Sequence, residues 1–232
     1  MLCGMREVQD HYFRLAKEEG YLSRAAYKLI EINERRRVLR KGDRVLDCGC
    51  APGSWLQVAS KRVGESGIVV GIDLKPIARR IAGNVVTIEG DFTKTPPEQL
   101  MKAAGDPPRP FDVILSDMAP STTGEPESDH FRSIRLCETV LDLCPTLLKI
   151  GGNLVLKAFE GSQYMPLVTR AARLFDDARG FKPTASRSES TEMYVIAHGW
   201  RGLDPRKLDP RPTDVSVLAP PRPAPPSAGW GN

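Results

Sequence analysis

From Asp43 onward, short runs rich in Val, Ile and Leu alternate with stretches whose apolar residues recur at helical spacing. The runs fall at 44–48, 68–72, 85–89, 113–116, 153–158 and 193–197, and the helical patterns at 55–63, 97–104, 133–149 and 165–178. Continuous apolar runs suit strands buried on both faces, and the helices between them supply the crossovers that parallel neighbours require. The alternation predicts an α/β fold on a mostly parallel sheet, with ligands bound beyond the carboxyl ends of its strands. Upstream, Ser23 is placed to cap a helix in which Ala26, Leu29, Ile30 and Asn33 take core spacing, while Arg24, Tyr27, Lys28 and Glu31 share the other face.

Composition narrows the class. A chain of 232 residues, 41% of them hydrophobic, buries one full-sized core. No stretch approaches the roughly 20 apolar residues that cross a bilayer, and the first ten residues lack a signal-peptide pattern, so a soluble, cytoplasmic protein with no membrane partner is expected. Cys3, Cys48, Cys50, Cys137 and Cys144 form no Cys-x-x-Cys pair, and with only three histidines a metal site or disulfide framework is not expected. Cys137 and Cys144 share a helical pattern and are read as core residues.

The net charge of +4 is concentrated: residues 1–41 carry ten Lys/Arg against six Asp/Glu, and the remainder sums to zero. Arg35, Arg36, Arg37, Arg40 and Lys41, preceded by Tyr12, Phe13, Tyr21 and Tyr27, read as a surface for phosphates and stacked bases. They read equally as a solvated helix end, where cations offset the helix dipole. Residues 1–42 are accordingly taken as a basic helical segment contributing to a nucleic-acid site, residues 43–202 as the main domain, and residues 203–232, rich in Pro, as a disordered tail.

The first run ends in Val45, Leu46 and Asp47 and passes through Cys-Gly-Cys-Ala-Pro-Gly-Ser-Trp at 48–55 into a helix. Glycines there let a ligand approach the backbone closely. A dinucleotide loop would show Gly-x-Gly-x-x-Gly, whereas this turn has Gly49-x-x-x-Gly53. Asp47, Asp73 and Asp91 close three successive strand candidates. A carboxylate at Asp73 suits the two hydroxyls of an adenosine ribose, and one at Asp91 suits the adenine amino group. Acids in register with a glycine turn that lacks a pyrophosphate loop favour S-adenosylmethionine over a nicotinamide cofactor. Taken singly, each is also an ordinary turn or cap residue.

Two further charged residues sit where apolar runs end: Asp117 after Val113, Ile114 and Leu115, and Lys157 after Leu154, Val155 and Leu156. With Ser-Arg-Ala-Ala-Tyr-Lys-Leu at 23–29, the turn at 45–55, Ser-Asp-Met-Ala-Pro at 116–120, Gly151 and Gly152 through Lys157, and Ser186 and Arg187 through Glu192, Met193 and Tyr194, they resemble the FtsJ-like (RrmJ-type) ribosomal RNA ribose 2′-O-methyltransferases from about residue 10 to residue 199. The resemblance implies a Rossmann-like class I fold dependent on S-adenosylmethionine, with a mostly parallel seven-stranded sheet and helices on both faces. It implies a catalytic set of Lys28, Asp117, Lys157 and Glu192, and a cofactor site of Gly49, Gly53, Trp55, Asp73, Asp91 and Asp117. The implied substrate is a uridine ribose of ribosomal RNA in the large ribosomal subunit; nothing in the sequence demands more than a monomer. Cys50 and Ser54 stand where the family often has Ala or Gly, and Ser121, Thr122, Thr123 and Gly124 replace a loop that usually contains Asn.

A ribose hydroxyl is a weak nucleophile, so the site must align two reactants and handle a proton. Lys157 fits either as the base or as a hydrogen-bond donor that steadies developing oxyanion charge. Taken alone, Lys28 with Glu31 is an ordinary helix-surface pair and Glu192 an ordinary exposed strand residue. The same set of four occurs in relatives that methylate transfer RNA anticodon loops or messenger RNA caps. A non-catalytic ribosome-assembly factor is disfavoured by the presence of all four, and an NAD-dependent reductase by the missing glycine pattern.

Overall fold

The computed structural model describes residues 3–185 and 190–208, with side chains from residue 11. Ser186 and Arg187 of the resemblance, and most of the Pro-rich segment, lie outside the described residues. In chain order the elements are α1 (Cys3–Glu18), α2 (Ala25–Arg36), β1 (Arg44–Cys48), α3 (Ser54–Val63), β2 (Ile68–Asp73), β3 (Val85–Glu89), α4 (Pro97–Ala103), β4 (Phe111–Ser116), α5 (Pro126–Leu147), β5 (Leu148–Phe159), α6 (Tyr164–Leu174), β6 (Phe175–Phe181) and β7 (Glu192–Trp200). The strands form one seven-stranded sheet in the order β3-β2-β1-β4-β5-β7-β6. Strands β1 to β5 pair in parallel, and β7 runs antiparallel to both of its neighbours.

Two cores follow from the two-residue period of the strands. Leu46, Ile114, Leu154 and Leu156 face one side and pack with Leu100, Ile134, Leu141 and Leu167 of α4, α5 and α6. Val45, Val113, Leu115 and Val155 face the other side and pack with Leu29 and Ile32 of α2 and Leu56 of α3. The expected α/β architecture, mostly parallel and covered on both faces, is what forms. Cys48, Cys50, Cys137 and Cys144 are buried free thiols, and no helix among the described residues is long and apolar enough to cross a membrane.

Several boundaries differ from the sequence reading. The helix read at 165–178 ends at Leu174, and Phe175–Phe181 forms the edge strand β6, held only by β7. Helix α5 begins at Pro126 rather than 133: proline suits a first helical turn, and Glu127 and Asp129 complement its dipole. It stops at Leu147 rather than 149, where β5 begins. Ser23 lies one residue before the cap position of α2, its hydroxyl accepting from the Ala25 N–H and bonding Ser54 Oγ at 2.6 Å. The face of α2 that carries Tyr27 and Lys28 is buried, not solvated. Order also continues past residue 203: Asp204 caps a single 3-10 turn, Pro205–Lys207, and the buried guanidinium of Arg170 donates to the Pro205 carbonyl.

Candidate active site

The carboxyl ends of the parallel strands open into a cavity of about 610 Å³, a size that suits a small-molecule ligand. Gly49, at φ 78°, turns the chain off β1 into its wall. A Cβ there would lie 2.7 Å from Met118 Cγ, so glycine is required both by the left-handed conformation and by the neighbour. Asp73, ending β2, accepts from the N–H of Ala51 through one oxygen and from the N–H of Lys75 through the other, both at 2.9 Å. Its carboxylate thereby clasps the glycine turn and keeps lone pairs directed at the cavity. Asp91, past the end of β3, accepts from the Thr93 N–H and hydroxyl, and these hydrogen bonds hold it below the usual carboxylate range, with Lys94 adding to the effect. Ile72, Leu74, Phe92 and Met118 give the cavity an apolar flank between these acids.

Asp47 was given no contact in the sequence reading, yet it is fully buried behind the turn with neither carboxylate oxygen hydrogen-bonded. Burial, then the nearby charges of Asp117 and Asp73, pushes it well above the usual carboxylate range. An acid inside an apolar strand run is the signal that marks such a position, because an unpaired carboxylate is costly to bury.

Lys157 and Asp117 meet at the cavity wall. The amine of Lys157 donates to the Asp117 carbonyl at 2.5 Å and lies 3.1 Å from Asp117 Oδ1. That same carboxylate oxygen accepts from the hydroxyl of Tyr194 at 2.9 Å. Tyr194 is the cross-strand partner of Lys157, and burial followed by the charges of Asp117 and Glu192 keeps its hydroxyl protonated. The antiparallel course of β7 brings its first residue, Glu192, to the end of β5. Glu192 Oε2 accepts from Lys28 at 2.6 Å, and Oε1 lies 4.0 Å from Lys157. Burial alone would raise Glu192, but the charge and hydrogen bond of Lys28, with Lys157 beside it, hold it below the usual range. Lys28, Glu192, Lys157 and Asp117 are thus one connected network of alternating sign.

Not every expected contact is present. Lys157, Asp117, Asp73, Asp91 and Gly49 line the cavity, whereas Lys28, Glu192, Gly53 and Trp55 do not. Trp55 lies one layer behind, its ring stacked on Tyr194 at 5.9 Å and its N–H donated to the Ala25 carbonyl. A Cβ at Gly53 would meet Ile81 and Leu22, so this glycine accommodates packing of the chain on itself. Nor do the arginines at the end of α2 face this cavity: Arg35, Arg36, Arg37 and Arg40 surround a separate one at the opposite end of the strands, by the amino-terminal part of β5. Among the described residues no group of three or more His, Cys, Asp or Glu is placed to hold a metal ion.

Comparison with known proteins adds an independent finding. The sequence pattern of the FtsJ-like methyltransferase family matches residues 21–200. Ribosomal RNA large subunit methyltransferase E of Syntrophobacter fumaroxidans is 48% identical over 189 residues, covering 82% of this chain and 94% of the relative. The protein of the same name from Methanothermobacter thermautotrophicus is 43% identical over 84% of this chain and 92% of its own length. A solved Plasmodium falciparum structure, provisionally described as a ribosomal RNA methyltransferase, superposes with a TM-score of 0.70 at 31% identity, covering 79% of this chain and all of that one.

Proposed function

Since the chain belongs to the FtsJ-like methyltransferase family, we propose that it transfers a methyl group from S-adenosylmethionine to the 2′-hydroxyl of a uridine ribose in large-subunit ribosomal RNA. The observation that carries this reading is Lys157: a nearly buried amine that lines the cavity, fixed from one side by Asp117 and flanked by the Lys28–Glu192 pair.

The residues present fit the cofactor. Its ribose hydroxyls, adenine amino group and ammonium are all donors, and the cavity offers Asp73, Asp91 and Asp117 as acceptors, with the unpartnered Asp47 behind them. Asp73 would take the ribose, Asp91 the adenine edge and the apolar flank its faces, while Gly49 keeps the space that a Cβ would fill. When bound, S-adenosylmethionine supplies a sulfonium-activated methyl group. The chain's own part is alignment. A lysine ammonium has three proton positions; the Asp117 carbonyl takes one of those of Lys157 and the Asp117 carboxylate pairs with it at 3.1 Å, which leaves room for the substrate oxygen. Lys157 then holds the 2′-oxygen in line and steadies its developing charge. With the cofactor bound, the 2′-oxygen would take up the activated methyl group, leaving the cofactor as a neutral thioether, and would release its proton to solvent while Lys157 holds the oxygen in place. Glu192, held ionised by Lys28, sets Lys157 laterally. Asp117, steadied by Tyr194, sets it from the other side.

The N-terminal helices, residues 1–42, serve the RNA side of this site, residues 43–202 the methyl transfer, and the enzyme acts as a cytoplasmic monomer. The test is transfer of labelled methyl to large ribosomal subunits and to bulk transfer RNA, both from cells lacking the modification. Labelling of one subunit uridine, mapped by resistance to alkaline cleavage, is the expected result. Labelling confined to transfer RNA would overturn the target, and labelling of neither would overturn the activity.

A further inference from the structure

The second cavity, about 480 Å³, lies where α2 ends, with Arg35, Arg36, Arg37 and Arg40 around it and Asp177 and His198 behind. Helix α2 spans the height of the sheet: Lys28 belongs to the active-site end, and Arg36 lies eight residues further on, about 12 Å along the axis. We propose that this cavity binds a phosphodiester of the RNA substrate, as an anchoring site separate from the one that performs methyl transfer; the inference rests on the RNA methyltransferase reading above.

Cations at a helix end commonly do no more than offset the dipole or pair along the helix. Arg35 does pair with Glu31 one turn back, and Arg36 pairs with Asp177 across to β6. Arg37 and Arg40 are different. Arg37 sits beyond the last turn in a left-handed conformation, φ 50° and ψ 49°, which turns the chain from the helix back toward β1. Both side chains are exposed, and neither guanidinium has a carboxylate partner among the described residues. The wall acids are already engaged, Asp176 by Arg201 at 3.1 Å and Asp177 by Arg36 and Arg179. Two guanidinium groups therefore remain without an ion pair among the described residues on the rim of a concave surface, Arg40 offset only in part by the Asp43 carboxylate at its backbone N–H, in the segment that carries the whole net charge of the chain.

The ligand chemistry follows from the donors and from the openness of the site. Guanidinium forks match phosphate oxygens in pairs. With three of the four arginines exposed, the cavity is too open to enclose a small metabolite, whereas a backbone phosphate needs only a cationic rim. An RNA that reaches this rim while presenting a ribose at Lys157 must span the full length of α2, which suits a large folded substrate.

The test uses the full chain with Arg37→Gln and Arg40→Gln together, positions outside the active site and exposed enough to leave the melting temperature unchanged. Binding of unmodified large-subunit RNA is measured across a range of salt concentrations, without cofactor. The expected result is about a tenfold loss of affinity near 0.1 M salt and a salt slope shallower by about two. In methyl transfer the KM for the subunit rises while kcat and the cofactor Kd stay unchanged. An unchanged affinity and slope would overturn the proposal. So would stabilisation of the wild type but not the variant by inorganic phosphate at constant ionic strength, with RNA binding unaltered: that result would assign the site to a free anion. A wild-type chain that shows the salt slope yet methylates no RNA would refute the enzyme reading and leave this site standing.

Discussion

Replacing Lys28 with Met keeps the aliphatic stem but removes the charge that Glu192 accepts from at 2.6 Å. The side chains of the pair are 9% and 23% exposed, so the carboxylate left behind is largely out of water. Breaking one side of a fully buried pair costs about 3–5 kcal/mol. Partial exposure of Glu192 and the presence of Lys157 at 4.0 Å reduce this to about 2–3 kcal/mol. For a domain of this size that lowers the melting temperature by about 4–12 °C. Glu192 then draws Lys157 away from Asp117, and a displacement of about 1 Å costs roughly 10²-fold in rate. In the double variant Lys28→Met/Glu192→Met no charge is orphaned, and exchange of a buried pair for apolar side chains is close to neutral. Stability recovers while methyl transfer does not, because Lys157 has lost its lateral carboxylate. Thermal melts and single-turnover transfer, read side by side, test this. A Lys28→Met variant as stable as wild type would show that the pair is solvated. A double variant with wild-type turnover would reduce the pair to a structural strut.

Lys157→Ala should reduce transfer by about 10²–10⁴-fold while cofactor Kd, read by calorimetry, changes no more than a few-fold; near-normal turnover would remove Lys157 from the mechanism. Asp73→Ala should weaken cofactor binding by about 1.5–3 kcal/mol, roughly ten- to 150-fold, and unchanged affinity would displace the ribose from β2. Asp47, whose pKa burial raises well above the ordinary 3.8, contributes stability that is fully present below that value and is lost as pH rises. Asp47→Asn should therefore raise the melting temperature of the ligand-free protein at pH 7, with the gain vanishing below about pH 3.8, and a lower melting temperature at pH 7 would contradict this. Glu192 has the opposite sign: its depressed pKa gives stability above about pH 4.5 that is lost as pH falls, so Glu192→Gln should flatten acid melting curves, and a variant as acid-sensitive as wild type would count against it.

Strands β1, β2, β4 and β5 were legible because burial on both faces forces a continuous apolar run, and Asp117 and Lys157 because a charge ending such a run has few structural uses. Strand β6 was not legible, for the opposite physical reason. It has one neighbour and an exposed edge, so Asp176, Asp177 and Arg179 carry no penalty, while Phe175 and Ala178 happen to continue the helical spacing of α6. Trp55, which the resemblance implies as a cofactor contact, does not line the cavity, because its ring stacks on Tyr194. The arginine run lacked direction. Its residues were visible, but only the path of α2 along the sheet shows that they lie at the end of the strands away from Lys157.

The position of β7 has a consequence in time. Among the described residues it is the last strand, yet it sits inside the sheet, and β6 has no other hydrogen-bonding neighbour there. A chain emerging from the ribosome N-terminus first can assemble β1 to β5 and the helices over them, while β6 waits for a partner that has not been made. Glu192 and Tyr194 arrive with that partner, and the Lys28–Glu192 contact closes a separation of 164 residues. Catalytic competence is thereby tied to completion of the domain. A nascent or truncated chain that stops before β7 has Asp117 beside Lys157 but lacks Glu192 and Tyr194, so under the proposed mechanism methyl transfer waits until synthesis has passed β7.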